Sequence, residues 1–378
     1  MNHHSNGKHW PNVITVGVTG TRGIPAIPGG VETHCQQLYP RLASKCCRVT
    51  VFRRSCYVTN DNRRPDFEGV SLVDIYAPRR KSIEAITHTT LATLKAWRMG
   101  VDILHIHTVG PSLLAPLARL LGLKVVCTNH GPDYQRAKWG WAARQCIHLG
   151  EWCQVKCAHH IIAISQNIAE DLRRNYGRTH GVTVIPNGVE RMAVPQRMDF
   201  LSSLNLTPGG YVLAMARFVP EKRIHLLIEA FSRLGDTGVK LAIAGDADHD
   251  DDYSRSLKQQ ARLAGVTLTG YVQGNPLNQL LHGARLFVLP SSHEGLPIAL
   301  LEAMSCQVDV LVSDIPANRL PQLDTTDFFV TDSIDDLTEA LRRKLSAPAA
   351  ERVYDLSPYN WDTIAQRTLE VYRQTLES

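Results

Sequence analysis

The sequence predicts an α/β protein made of two doubly wound, Rossmann-like domains whose strand ends face a common cleft. Three observations carry this expectation. The chain has 378 residues, beyond the size at which a single hydrophobic core keeps growing. Short, β-branched apolar runs alternate with helical stretches, and strands that apolar belong in parallel sheets covered on both faces. The alternation breaks once, near residues 190–210, in polar sequence ending at Pro208-Gly209-Gly210, and then restarts. Such a break reads as a linker.

Taken in order, the first half offers strands at 13–18, 48–52, 71–75, 102–107, 124–128, 160–165 and 182–185. The second half offers strands at 211–216, 240–244, 266–270, 285–289 and 308–312. The last stretch, from Tyr359 to Leu376, places Ile364, Leu369, Tyr372 and Leu376 at helical spacing. The expected domains are 1–200 and 201–358. In doubly wound sheets ligands bind beyond the carboxyl ends of the strands, so the loops that follow strands are where chemistry is sought.

Composition is that of an ordinary globular protein, 44% apolar and 20% charged. No apolar run approaches the length needed to span a bilayer, and the first ten residues are polar, without the apolar core of a secretory signal. His3, His4 and His9 lie in that stretch, which reads as a polar tail. Nine cysteines, none in a CxxC pair, fit reduced thiols in a cytoplasmic protein. Charge is segregated: residues 1–200 carry a net +12 and residues 201–378 a net −7. That asymmetry points to an anionic partner for the first half, whether nucleic acid, an anionic membrane or a phosphate-bearing acceptor.

The first strand runs into Gly17-Val-Thr-Gly20-Thr-Arg-Gly23-Ile-Pro25-Ala-Ile-Pro28-Gly29-Gly30-Val-Glu32. The glycine spacing suggests a dinucleotide site, but there the helix opens inside the glycine motif. Here Pro25 and Pro28 push their preceding residues out of helical space. The helix is expected to open at Gly29-Gly30, with Val31, Cys35 and Leu38 on its buried face. A plain glycine-rich turn is the alternative.

In the second half, strand 211–216 leads into Arg217-Phe-Val-Pro-Glu221-Lys222. Two cations five residues apart at a strand's end suit a diphosphate, a planar fork and a mobile point charge. Strand 285–289 leads into Pro290-Ser-Ser-His-Glu294-Gly295-Leu296-Pro297-Ile-Ala-Leu-Leu-Glu302. Pro297 suits a helix's first turn, which puts Glu294 on the loop and Glu302 one to two turns into the helix. A carboxylate accepts two hydrogen bonds, as vicinal hydroxyls of a ribose or hexose require. Asp246-Ala-Asp248 imitates a paired-aspartate motif that holds a divalent metal; the Arg-Lys pair can neutralise a diphosphate without one.

With these motifs in family order, the chain resembles a retaining glycosyltransferase of family 4 with the GT-B fold, over nearly its full length. The resemblance rests on Gly20–Ala26 with Gly29, Gly30 and Glu32; on His130, Gly131, Asp133, Arg136, Lys138 and Trp139; on Pro186-Asn187-Gly188-Val189; on Arg217, Glu221 and Lys222; and on Glu294 and Glu302. It departs from the family at Gln307 and Asp309, where Gly and Pro are usual, at Arg223 in place of Gly, and at Pro28 in place of an aromatic.

The resemblance implies that the final helix, 359–378, packs back on the first domain and that the donor is a nucleotide-sugar held mainly by the second. Glu302 would accept the ribose hydroxyls. Arg217 and Lys222 would stabilise the leaving diphosphate, and the amides of Gly29 and Gly30 would reach the same phosphates. Glu294 would hold the donor sugar, with Asn187, Gly295 and Leu296 also at the donor, and His130 would lie under the sugar's reacting face. His107 could be structural only. No second carboxylate is placed as a nucleophile, which favours same-face displacement with retention. Neither a metal nor another cofactor is expected.

The acceptor would be a glycan or a lipid-linked sugar of cell-envelope polysaccharide synthesis, not a nucleic acid. Asp133, Arg136 and Lys138, with the basic triplet Arg79, Arg80 and Lys81, are the candidate acceptor residues. The triplet precedes a segment with Ile83, Ile86, Thr90, Leu94 and Trp97 at helical spacing. That face either packs on the sheet or meets an anionic membrane, which would place the protein peripherally at the inner membrane face. The competing functions are a sugar-nucleotide epimerase, on a related fold or using a nicotinamide cofactor at Gly17–Gly23, and a non-catalytic nucleotide-sugar-binding relative.

Overall fold

A computed structural model describes residues 13–79, 83–131, 140–247, 250–348 and 352–378. The chain divides into two compact units. The first takes residues up to 187 and then 361–378; the second takes 188–360, each within the described residues.

In the first unit the elements run β1 (Ile14–Thr19), α1 (Gly30–Ala43), β2 (Cys47–Arg54), β3 (Asp66–Phe67), β4 (Val70–Ile75), α2 (Glu84–Met99), β5 (Ile103–His107), α3 (Ala115–Leu120), β6 (Lys124–Asn129), α4 (Trp141–Cys157), β7 (His160–Ala163), α5 (Gln166–Tyr176) and β8 (Val182–Val184). The second unit follows with α6 (Asp199–Ser203), β9 (Tyr211–Met215), α7 (Ile224–Ser232), β10 (Lys240–Ala244), α8 (Asp252–Leu263), β11 (Thr267–Gly270), α9 (Asn275–Gly283), β12 (Leu286–Leu289), α10 (Ile298–Ser305), β13 (Val310–Ser313), β14 (Phe328–Phe329) and α11 (Ile334–Ser346). The last helix, α12 (Trp361–Glu377), returns to the first unit.

The first sheet has the order β3-β4-β2-β1-β5-β6-β7-β8, and the second β11-β10-β9-β12-β13-β14. All pairs are parallel except the short β3, which runs antiparallel to β4 at the edge. Each sheet is wound outwards in both directions from its middle, from β1 and β5 in one and from β9 and β12 in the other. The order therefore reverses at β1/β5 and at β9/β12, and beyond the carboxyl ends of those strands a doubly wound sheet leaves room for a ligand. The two-residue strands β3 and β14 were not expected, because two residues carry no periodicity to read.

The cores follow from the apolar strands. Val16, Val18, Val49, Val51 and Ile103 are fully buried in the first sheet, and Ile364, Leu369 and Tyr372 of α12 pack into the same cluster. Val212, Ala214, Ile243, Val288 and Leu311 do the same in the second. Helix ends are set locally. Ser165 accepts the amide of Ile168 at the start of α5, Gly177 closes that helix in the left-handed conformation, and Asp251 with Ser254 forms a reciprocal cap on α8.

The passage between units falls at residues 187/188, ahead of the expected 200/201. Beyond β8 the chain stays tied to the first unit, through Ile185 N–H donating to the Ala163 carbonyl at 2.9 Å and through Asn187 contacting His34. The structure also decides between the two placements left open for the apolar face of α2. The buried face of the helix is Glu84, His88, Thr89, Ala92, Thr93 and Ala96. The apolar face read from the sequence is turned out: Ile83, Ile86 and Trp97 are exposed, and Thr90 and Leu94 are half-buried. Small residues are on the sheet side because β1 comes close there: a Cβ on Gly17 would lie 3.4 Å from that of Ala96. Among the described residues no helix is long and apolar enough to cross a membrane.

Candidate active site

In the second unit the two candidate motifs are joined through the backbone. The Ser292 amide donates to the Glu221 carbonyl at 2.9 Å, and the Ser292 hydroxyl to the same oxygen at 3.3 Å. This clamps the loop after β12 onto the turn after β9. The result is an ion pair, Lys222 Nζ to Glu294 Oε1 at 2.5 Å, with both side chains largely buried. Arg217 stands two residues past the end of β9, half-buried. Gly295 is also half-buried, and Leu296 is buried beneath the loop. Pro297 occupies the cap position just ahead of α10, one place earlier than the first turn. Glu302 then falls in the second turn of α10, where burial pushes its carboxyl up to about 7.

In the first unit the loop between β1 and α1 is held from below and from its end. Glu32 accepts from the Thr21 hydroxyl at 3.0 Å and from the Arg22 amide at 2.8 Å. Gly29 caps α1 with φ 146°, and a Cβ there would meet the Glu32 carboxylate at 2.0 Å. Gly23, φ 130°, lies over the buried Arg53 stem, where a Cβ would come within 2.7 Å. Gly30 has open space where a Cβ would be. Glycine at 23 and 29 thus serves the loop's own closure, and the bare face at Gly30 is what a ligand could approach.

Around β5 and β6 the first unit gathers imidazoles. His105 and His107 project from one face of β5 and stack with ring centroids 4.4 Å apart. His105 Nδ1 pairs with the hydroxyls of Tyr372 at 2.7 Å and Tyr39 at 3.1 Å, and its Nε2 with the Thr128 hydroxyl at 2.7 Å. His107 pairs through Nε2 with Tyr39 and through Nδ1 with His130 Nε2, the latter at 3.0 Å. His34, on α1, pairs through Nδ1 with Asn187 Oδ1 at 3.0 Å. Burial lowers His34 to about 4 and His105 to about 3, and drives His107 well below its ordinary value. These three rings are neutral at pH 7.

Two family models span most of the chain: Glycosyltransferase Family 4 matches residues 28–191, and Glycosyl transferases group 1 matches residues 209–347. The chain belongs to glycosyltransferase family 4. It is 26% identical to a glycogen synthase of Mycobacterium tuberculosis, over 92% of each chain. It is 27% identical to the GDP-mannose:cellobiosyl-diphosphopolyprenol alpha-mannosyltransferase of Komagataeibacter xylinus, over 73% of this chain and 72% of that one. Among solved structures it is similar to a sucrose-phosphate synthase of Thermosynechococcus elongatus, with TM-score 0.81 at 20% identity, covering 96% of this chain and 99% of that one. The fold of this family 4 glycosyltransferase is GT-B.

Its departures from the family pattern are accommodated. Arg223, in place of the usual Gly, is held by both oxygens of Asp332 at 2.7 and 3.2 Å. Asp309 binds Lys344 at 2.8 Å, and Lys344 in turn binds the fully buried Asp327 at 2.7 Å. Gln307 takes a left-handed φ of 62° at the end of α10. Pro28 uses its carbonyl to accept from Arg22 Nη1 at 3.2 Å.

Asn187, expected at the donor, has its side-chain oxygen on His34, within the imidazole group of the first unit. Asp246 is engaged by Lys258 at 2.8 Å. Arg79 is exposed, four residues past the end of β4. Arg80, Lys81, Asp133, Arg136, Lys138, Trp139 and Asp248 lie outside the described residues.

The structure adds what spacing did not show. Glu32 holds the loop, and His34 joins His107 and His130 in one cluster. The alternation of His105 and His107 on a single strand face was the available signal, since residues two apart on a strand share a side.

Proposed function

We propose that this glycosyltransferase moves a hexose-type sugar from a nucleotide-sugar donor to a glycan or lipid-linked acceptor of polysaccharide synthesis, with retention of configuration. The observation that carries the reading is the backbone clamp between Ser292 and Glu221, which sets Lys222 and Glu294 side by side at the carboxyl ends of β9 and β12. Without ligand the ammonium and the carboxylate neutralise each other. A donor diphosphate would take over Lys222 together with Arg217, freeing Glu294 to accept hydroxyls of the sugar. Glu302 would accept the ribose hydroxyls.

In the reaction the bond from the anomeric carbon to the diphosphate oxygen breaks, and the acceptor oxygen bonds to that carbon on the same face. The acceptor's proton passes to the leaving phosphate. Negative charge grows on the diphosphate, where fixed cations contribute most. No carboxylate nucleophile is invoked: His107 and His34 lie beside His130, Glu32 is committed to Thr21 and Arg22, and Glu294 is paired with Lys222. No metal is invoked either, because Arg217 and Lys222 supply the charge and Lys258 already occupies Asp246. The Gly29-Gly30 amides and His130 would serve the same reaction from the first unit.

A lipid-linked acceptor is favoured by the exposed Ile86 and Trp97 on one face of α2, with the exposed Ile83 just ahead of the helix and Arg79 shortly before that. The mannosyltransferase relative is named for a diphosphopolyprenol acceptor. Such a face suits a membrane surface.

The test is transfer by Arg217→Ala and Lys222→Ala, with the donor chosen from a panel by thermal stabilisation. Each substitution should cut turnover about 100-fold or more, chelator should leave it unchanged, and the product's anomeric coupling should match the donor's. Near-normal turnover in both variants, or an inverted product, would remove the mechanism. Co-sedimentation with anionic vesicles should fail at high salt, since basic residues each contribute about 1 kcal/mol and are screened. Absence from the pellet at low salt would favour a soluble acceptor.

A further inference from the structure

The histidine cluster of the first unit has a feature that sugar transfer does not use. His34, His107 and His130 each offer a ring nitrogen, and the three nitrogens lie within 4.8 Å of one another. His34 is 2% exposed, and its Nε2 has no hydrogen-bond partner. A buried, unpartnered nitrogen loses its bond to water without replacement. Its Nδ1 lies on the amide oxygen of Asn187, and an amide oxygen only accepts, so Nδ1 carries the proton. Nε2 therefore presents a bare lone pair.

We propose that His34, His107 and His130 form a binding site for a borderline transition-metal ion of the zinc type. Three imidazoles are the ligand set of an open zinc site, with a fourth position left for water or another group. The metal class follows from the donors: neutral nitrogen suits zinc, cobalt, nickel or copper, whereas magnesium and manganese prefer oxygen. The distance between His107 Nδ1 and His130 Nε2 is 3.0 Å. Zn–N bonds of ~2.0–2.1 Å in a tetrahedron place two nitrogens about 3.3 Å apart. That pair needs to open only slightly, while His34 moves in.

The surroundings match what ligating histidines need, an acceptor on the other nitrogen. For His34 it is Asn187. For His107, Nε2 faces the Tyr39 hydroxyl, which can accept from it and donate onward to His105 Nδ1. The consequence for transfer rests on the role proposed above for His130: an occupied site withdraws that ring, and the ion inhibits.

The experiment is titration of the full chain with cobalt(II) chloride, followed by visible absorption. His3, His4 and His9 are replaced by Ala beforehand so that the polar tail does not contribute. One equivalent should bind with the absorption of a nitrogen-ligated, four- or five-coordinate ion and without a thiolate charge-transfer band. His34→Phe and the half-buried His130→Gln should each weaken binding at least tenfold, and Asp246→Asn should leave it unchanged. Zinc should displace the cobalt and raise the unfolding temperature of the parent chain but not of either histidine variant. A thiolate band, unchanged affinity in His130→Gln, or no stoichiometric binding by folded protein would overturn the site. Stoichiometric binding without inhibition of transfer would keep the site and remove His130 from the reaction, which separates the two ideas.

Discussion

Around β5 and β6 the first unit collects neutral rings and hydroxyls; beyond the carboxyl ends of β9 and β12 the second collects charges. Tyr39, Tyr372, His34, His105 and His107 are almost wholly buried and hydrogen-bond to one another or to neighbouring polar groups. Lys222, Glu294 and Arg217 are only partly buried, and two of them are paired. The difference teaches where function and stability are shared. A buried neutral network holds the fold and orients His130 by the same bonds, so altering it should cost both. An ion pair close to solvent can exchange partners when a ligand brings its own charge.

The sharpest way to break this comparison is Tyr39→Phe. The Tyr39 hydroxyl touches both His107 Nε2 and His105 Nδ1. Its loss leaves the buried His107 Nε2 without that partner, while His105 Nδ1 keeps Tyr372, and the expected destabilisation is about 1–3 kcal/mol in denaturant unfolding. Tyr372→Phe should cost less, because His105 Nδ1 keeps Tyr39. If the two variants unfold alike, the network is not the graded structure described and the first unit's polar groups are separable from its stability.

The second unit is sharpened by pH. The Glu302 carboxyl is pushed up to about 7 by burial, from an ordinary value near 4.5. The folded state thus holds this proton more tightly than the unfolded chain. The group favours folding below pH 4.5, and stability falls as pH rises from there to about 7. A donor ribose needs the ionised carboxylate as acceptor, so binding should expel the proton. At pH 7 roughly half a proton should be released, and affinity should fall up to tenfold per pH unit below that. Calorimetry in buffers of different ionisation enthalpy measures the release. Glu302→Gln should abolish it, and equal proton release in that variant would move the ribose contact elsewhere.

Much of this was legible in the sequence, and unevenly so. The parallel strands declared themselves because runs such as Val125-Val126-Cys127 and Leu286–Leu289 are buried on both faces. Lys222 and Glu294 could be named from spacing, but their mutual pairing depends on the Ser292–Glu221 clamp between loops 71 residues apart. The α2 face stayed open between sheet and surface because apolar periodicity shows amphipathicity and not which side meets the sheet; Ala92, Thr93 and Ala96 decide that by allowing close approach. His34 and Asn187 are 153 residues apart and gave no local signal of contact.

The smallest effect tests whether the departures from the family pattern matter. Gln307 follows α10 in the left-handed conformation, φ 62°. Its amide donates to the Met304 carbonyl at 3.0 Å, and the next amide, of Val308, donates to Ala303 at 3.2 Å. These are the two bonds of the helix-ending motif in which glycine is usual. Gln therefore adopts the backbone that glycine would take, with its side chain exposed, and the penalty is the crowding of its Cβ alone. Gln307→Gly should stabilise the second unit by up to ~1 kcal/mol, the left-handed strain partly offset by glycine's greater freedom when unfolded. Gln307→Ala, which keeps the Cβ, should bring no gain. Turnover should not change in either, because neither bond nor register is altered. A loss of stability in Gln307→Gly would mean that the Gln307 side chain makes a favourable contact, and the departure would then be a feature of this chain and not a tolerated strain.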